Sequence, residues 1–270
     1  DEVGGADEVN QATVRAWLNL AKIEPNDDCL EPSISSNGRW LVWASSSNVI
    51  TPNDNNGRRD IFLKDRETGK IFNLTDPFVP IFVGPIVPDD CYDPTVSDDG
   101  NFVAFRSKGA WKPFFAPGST WTNDGVWRLN RSPGTIVYER AYAGGAEPDA
   151  PLLQPSISAD GRKVAFKSSA TNLAIASGGT TQIFHYDFGD GVVIPPVMTL
   201  VSKQAGAALN TPCNVGATNP RISADGNFVL FESNSTNLNA GTAGLPKPQV
   251  YRGTAAGGNV LPVATNAIGG

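Results

Sequence analysis

Histidine is almost missing from this 270-residue chain, which carries one, His185. Multi-histidine metal sites built from this chain alone are excluded. A Ser-His-Asp apparatus would have to use His185, yet no Gly-x-Ser-x-Gly elbow accompanies it. Its setting, "IFHYD", reads as a packed strand rather than as the site of a base. Cysteine is scarce too: Cys29, Cys91 and Cys213 make neither a zinc nor a haem pattern, and an odd count leaves at least one outside any intramolecular disulfide. Charged residues are only 18% of the chain and the net charge is −6, so a nucleic-acid partner would be repelled. No apolar run approaches the roughly 18–20 residues that a membrane-spanning helix needs. The first residue is Asp1 and not Met, which fits a processed, exported protein and equally a trimmed piece.

What is plentiful is turn chemistry and repetition. The chain has 28 Gly and 21 Pro within a 40% hydrophobic composition, which suits many short strands around a substantial core. Four stretches share one spelling: "PSISSNGRWLVW" from Pro32, "PTVSDDGNFVAF" from Pro94, "PSISADGRKVAF" from Pro155 and "PRISADGNFVLF" from Pro220. The anchor prolines lie 62, 61 and 65 residues apart. Such a period marks a repeat architecture. Each unit opens with a short alternating strand and turns at Asn-Gly or Asp-Gly, dipeptides suited to two-residue hairpins. A second strand follows ("RWLVWAS", "NFVAFRS", "RKVAFKS", "NFVLFES"), then a third ("DIFLKD", "GVWRLN", "QIFHYD", "QVYRG") and a fourth ("KIFNLT", "TIVYER", "VMTLVS", "NVLPVAT").

A lone four-stranded sheet cannot bury both faces, and radial packing of several does, so the expected fold is an all-β propeller of four four-stranded antiparallel blades. The expected units run over about 32–93, 94–154, 155–219 and 220–270. The spelling Pro-x-x-Ser-x-Asp-Gly-x-x-(Val/Ile)-Ala-Phe, followed by an (Ile/Val)-(Phe/Tyr)-x-x-Asp strand, resembles the TolB-type propeller repeat. It is most similar to the long-repeat version in secreted bacterial proteins, with its Ser-x-x-(Thr/Ser)-Asn-Leu element at "SSATNLA" and "SNSTNLN". The resemblance spans about Pro32 to Thr265 and implies an extracytoplasmic protein (periplasmic, surface-bound or secreted) that scaffolds and binds.

Residues 1–31 form a separate N-terminal segment. Within it, Thr13–Trp17 ends 15 residues before Pro32, while the fourth strands end 19, 16 and 18 residues before the next anchor. That spacing predicts an outer strand that closes a blade or pairs with a neighbouring chain. Val9, Thr13, Ala16, Trp17, Leu20 and Ala21 also fit an amphipathic helix.

Chemistry is expected where the repeats differ. The blade-to-blade loops carry Asp27, Asp28 and Glu31, then Asp89, Asp90 and Asp93, then Glu147 and Asp149, an acidic rim on one face. Asp54, Asn56 and Asp60 resemble half of a calcium loop without its closing glutamate; turn formation is the simpler reading, with Ca²⁺ as the cofactor otherwise expected. Cys29 and Cys91 hold equivalent places in successive units, spaced for a disulfide or left as buried thiols. Two stretches read as apolar contacts, Phe78, Ile81 and Phe82 in one and Trp111, Phe114, Phe115 and Trp121 in the other. No coherent catalytic set emerges. The expected role is a non-catalytic scaffold with a protein partner or self-assembly, and the alternative is a carbohydrate-binding or carbohydrate-cleaving propeller that uses the rim and the aromatic loop on a glycan.

Overall fold

A computed structural model of the chain describes residues 23–52, 54, 56–75, 89–108, 122–131, 137–141, 147–173, 177–191, 193–204, 206, 211–238, 248–258 and 260–263. Thr13–Trp17 and all seven apolar-contact residues (Phe78, Ile81, Phe82, Trp111, Phe114, Phe115, Trp121) lie outside this set. Among the described residues there is no helix, and sixteen strands form four separate antiparallel sheets. Blade 1 contains β1 (Cys29–Ile34), β2 (Trp40–Ser45), β3 (Asp60–Asp65) and β4 (Ile71–Asn73). Blade 2 contains β5 (Cys91–Val96), β6 (Phe102–Lys108), β7 (Asp124–Asn130) and β8 (Val137–Arg140). Blade 3 contains β9 (Leu152–Ile157), β10 (Lys163–Ser168), β11 (Gln182–Asp187) and β12 (Val197–Leu200). Blade 4 contains β13 (Ala217–Ile222), β14 (Phe228–Ser233), β15 (Gln249–Thr254) and β16 (Leu261–Pro262). Strand order follows chain order in every sheet, as hairpin connections require.

The blades pack in series. Each first strand contacts the next blade's first strand, so β1, β5, β9 and β13 are innermost. Period-2 alternation sends successive side chains to opposite faces. We call the face toward the next blade trailing and the other leading. Val42 and Ile61 on the trailing face of blade 1 bury against Phe105 and Trp127 of blade 2. Ala104 and Val126 of blade 2 meet Phe166 and Phe184 of blade 3. Ala165 and Ile183 of blade 3 meet Phe231 and Tyr251 of blade 4. Small or branched residues thus receive an aromatic pair each time. The pair is stacked in blades 3 and 4, with centroids 5.8 Å apart.

The repeated turn differs from the two-residue hairpin that its Asn-Gly and Asp-Gly spelling suggests. That hairpin needs positive φ at both central residues. Here only the glycines have it, at +73°, +71°, +69° and +67° for Gly38, Gly100, Gly161 and Gly226. The Gly38 amide donates to the Ser35 carbonyl at 2.9 Å, and the Asn37 side chain accepts from the Ser35 hydroxyl and the Arg39 amide. Glycine has a second reason. A Cβ on Gly100 would lie 2.3 Å from the Trp40 ring, and one on Gly161 2.3 Å from Phe102. The turns of blades 2 and 3 therefore lie flat on an aromatic ring of the preceding blade, and that of blade 4 lies on the Lys163 side chain, 2.5 Å from a Cβ on Gly226. The turns also bond to each other, Ser36 to Asp98 at 2.9 Å, Asp98 to Ala159 at 2.9 Å, and Ala159 to Ala224 at 2.9 Å.

Candidate functional site

The anchor prolines sit inside the first strands, each within a β-bulge. The residue just before each proline has left-handed backbone: Glu31 (φ 56°), Asp93 (51°), Gln154 (53°) and Asn219 (55°). Such backbone is costly away from glycine, and a residue preceding proline is normally extended. Four-fold recurrence at equivalent innermost positions makes it a device of the fold. Glu31 and Asp93 are accordingly strand residues, a correction to their expected place in loops. Side-chain acceptors bridge the blades here: Glu31 Oε2 takes the Asp93 amide at 2.7 Å, and Gln154 Oε1 the Asn219 amide at 3.2 Å. This polar inner row carried no periodic signal beyond the Pro that follows it.

Between blades 1 and 2 the row becomes a charged cluster. Two guanidinium groups lie over the Tyr92 ring, Arg59 at 4.9 Å and Arg106 at 4.3 Å from its centroid. Arg106 pairs with Asp93 at 3.0 Å and with Asp124 at 2.5 Å. Burial works against the Arg106 charge, but Asp124 and Asp93 outweigh it and hold the guanidinium above its usual range. Burial, reinforced by Asp90, pushes the Tyr92 phenol up. Asp90 also accepts the Arg59 amide at 2.9 Å, while Asp89 meets Arg58 at 3.3 Å.

In the rest of the expected acidic rim, Glu147 and Asp149 hold loops together. Glu147 accepts the Thr122 and Asn123 amides at 2.5 and 2.6 Å. Asp149 accepts the Thr171 amide at 2.6 Å and its hydroxyl, and these bonds, the hydroxyl first, lower its pKa. Asp27 accepts the Asp28 amide at 2.7 Å. Blade 4, whose loop lacks acids, does the same with amides: the Asn214 amide donates to Asn237 at 3.0 Å, and Asn214 accepts the Thr236 amide at 3.1 Å. Clipping the loop beside the Thr-Asn element is the shared task, with acid or amide as interchangeable acceptors.

The three residues expected to bind Ca²⁺ do converge. Asn56 donates to Asp60 at 2.8 Å, and one Asn73 amide spans Asp54 and Asp60 at 3.1 Å each. Thr75 donates to the other Asp60 oxygen at 2.6 Å. Neutral donors occupy the carboxylate oxygens, and no group of three or more His, Cys, Asp or Glu side chains placed for a metal occurs among the described residues. Cys29 and Cys91, read as a disulfide or as buried thiols, form no bridge, and all three thiols are free. Cys29 packs with Trp43 and Phe62 on the leading face of blade 1, while Cys91 packs against its trailing face, so the sheet itself separates them. His185 is 4% exposed, with no hydrogen bond to either ring nitrogen. Burial, then Lys163, lowers its pKa to about 4. The ring is thus buried in its neutral form within the blade.

One face breaks the pattern. The trailing positions Val42, Ala104 and Ala165 are fully buried, as are Ile61, Val126 and Ile183. Their blade 4 counterparts, Leu230 and Val250, are 41% and 42% exposed. Phe228, Leu261 and Val263 are exposed on the same face. The hydrophobic clusters of the described residues join blades 1 to 2, 2 to 3 and 3 to 4, and none joins 4 to 1.

Repeated blades packed in series define the class, an all-β protein with four propeller blades. No family model matches the sequence, and no curated protein does either. Among solved structures, the chain is similar to TolB from Acinetobacter baumannii (TM-score 0.48, 18% identity, 88% of this chain and 44% of that one). It is similar to a putative TolB from Agrobacterium tumefaciens (TM-score 0.49, 18% identity, 87% and 65%). It is also similar to an oligogalacturonate lyase from Vibrio parahaemolyticus (TM-score 0.49, 12% identity, 91% and 56%). The chain therefore spans less than two thirds of each of these proteins.

Proposed function

We propose that this chain is a non-catalytic, extracytoplasmic scaffold that works through protein–protein contacts. The observation that carries the reading is the open trailing face of blade 4, an apolar sheet surface of the build that the other three blades bury. Contiguous exposed apolar surface on a folded protein marks a contact site. The charged cluster supports the non-catalytic half, since Arg106 is paired with Asp93 and Asp124, and Glu147 and Asp149 are engaged by loop amides. A glycosidase needs two carboxyl groups facing open space across a bond to be cut.

A photo-cross-linking amino acid at Val250 tests the reading in extract from the source cells. The expected result is a covalent adduct with protein, absent when the probe sits at exposed Lys70. Adducts no stronger at Val250 than at Lys70 would count against it. So would depolymerisation of a polysaccharide by the purified chain.

A further inference from the structure

We propose that the open trailing face of blade 4 pairs with the same face of a second copy, giving a two-fold symmetric dimer. The inference rests on the scaffold reading and names its partner.

Among the described residues, none closes this face. The surface of matching build is the leading face of blade 1, whose Trp43 and Phe62 are already buried at 3% and 0%. At a seated interface the turn glycine presses on the preceding blade. A Cβ on Gly38 would meet only the Arg66 guanidinium, at 3.7 Å, and not the exposed Phe228 ring.

The face has also diverged from the internal ones. Leu230 stands where Val42, Ala104 and Ala165 leave room for an aromatic pair. The larger side chain fills that room and suits a flatter partner.

Its charges are self-complementary. Leu230 lies opposite Arg252 across β14 and β15, and Glu232 lies opposite Val250. The four therefore form a patch with Leu230 and Val250 on one diagonal and Glu232 and Arg252 on the other. A two-fold axis between facing sheets, along the Leu230–Val250 diagonal, stacks Leu230 and Val250 on their own counterparts. It also sets Glu232 against the partner's Arg252, and the reverse. Isologous contact of this kind is the commonest symmetry of soluble oligomers.

Light scattering after size-exclusion chromatography of the purified chain, over a concentration series, tests the proposal. Wild type is expected to give twice the monomer mass. Leu230→Asp and Val250→Asp are each expected to weaken the dimer about 30-fold or more. Glu232→Arg and Arg252→Glu singly cost about tenfold, and the double variant recovers most of the loss. Far-UV circular dichroism confirms that each variant is folded. A wild-type monomer at every concentration overturns the proposal, as does a dimer indifferent to the charge reversals. If the chain is monomeric while the Val250 probe captures a different protein, the pairing is wrong and the scaffold reading stands. If it is monomeric and the probe captures nothing, both fall.

Discussion

Residues set the tolerances of this molecule, and the turn glycines show how narrowly. Gly161 combines a φ of +69° with a Phe102 ring 2.3 Å from where a Cβ would sit, while Gly57 has a similar φ of +63° and open space. Gly57→Ala is expected to cost only the roughly 1–2 kcal/mol of left-handed backbone. Gly161→Ala adds about 1–3 kcal/mol of overpacking, and urea midpoints read the difference. His185 makes a second residue-scale prediction. Its folded pKa of about 4 lies below the ordinary 6.5, so the unfolded chain binds the extra proton between those values. Stability is full above about pH 6.5 and falls as pH drops toward 4, by up to about 3 kcal/mol. His185→Gln is expected to flatten that part of the pH profile in denaturant titrations. The lowered carboxylates, Asp149 among them, lose stability only as pH nears their ordinary value of 3.8, so the loss between about pH 6.5 and 5 belongs to the chain's one histidine.

At the scale of the element, the innermost strand is the unit in which sequence and strain meet. The bulge at each anchor proline holds Glu31, Asp93, Gln154 and Asn219 left-handed. Asn219 offers the cleanest test, because asparagine tolerates that backbone and a β-branched side chain does not. Asn219→Val is expected to destabilise by about 1–3 kcal/mol. Asn219→Gly should stay within about 1 kcal/mol of wild type, since relieved strain offsets the extra freedom of the unfolded chain. Equal losses in thermal melts of both variants would remove the backbone account of the bulge. The four in-phase copies made blade, strand order and turn position legible, because hydrophobic alternation and Asp-Gly spelling act locally. The bulges were not legible, since left-handed backbone at a polar residue leaves no periodic mark. Nor was Asp98 as a donor and acceptor between turns, a contact that spans 62 residues of sequence.

For the whole molecule, serial packing makes the blades unequal. Among the described residues, blades 2 and 3 are covered on both faces and blade 4 on one, so local opening should cost least there. In dilute solution, amide hydrogen exchange is expected to reach β14 and β15 before β6, β7, β10 and β11. Uniform protection across the four sheets would contradict the open face, and slower exchange of β14 and β15 on concentration would accompany pairing. Thiol chemistry reports the same packing. Cys91 is wholly buried, and burial raises its pKa far above the ordinary thiol range. Cys213 is buried and Cys29 half-buried. Thiol titration should thus modify Cys29 first, reach three thiols on unfolding, and show no gain after reduction.

The sequence by itself determined the blade, its four copies, their order and the poverty of catalytic groups, because composition, alternation and turn chemistry are local properties. It located the acidic residues between the blades while leaving their work open. Only the tertiary structure decided that Asp90, Glu147 and Asp149 hold loops, that Cys29 and Cys91 face opposite sides of one sheet, and that Leu230 and Val250 face solvent. Each of these depends on what lies across an inter-blade gap. Equivalent strands are core in blade 3 and surface in blade 4, since burial belongs to the neighbour as much as to the residue.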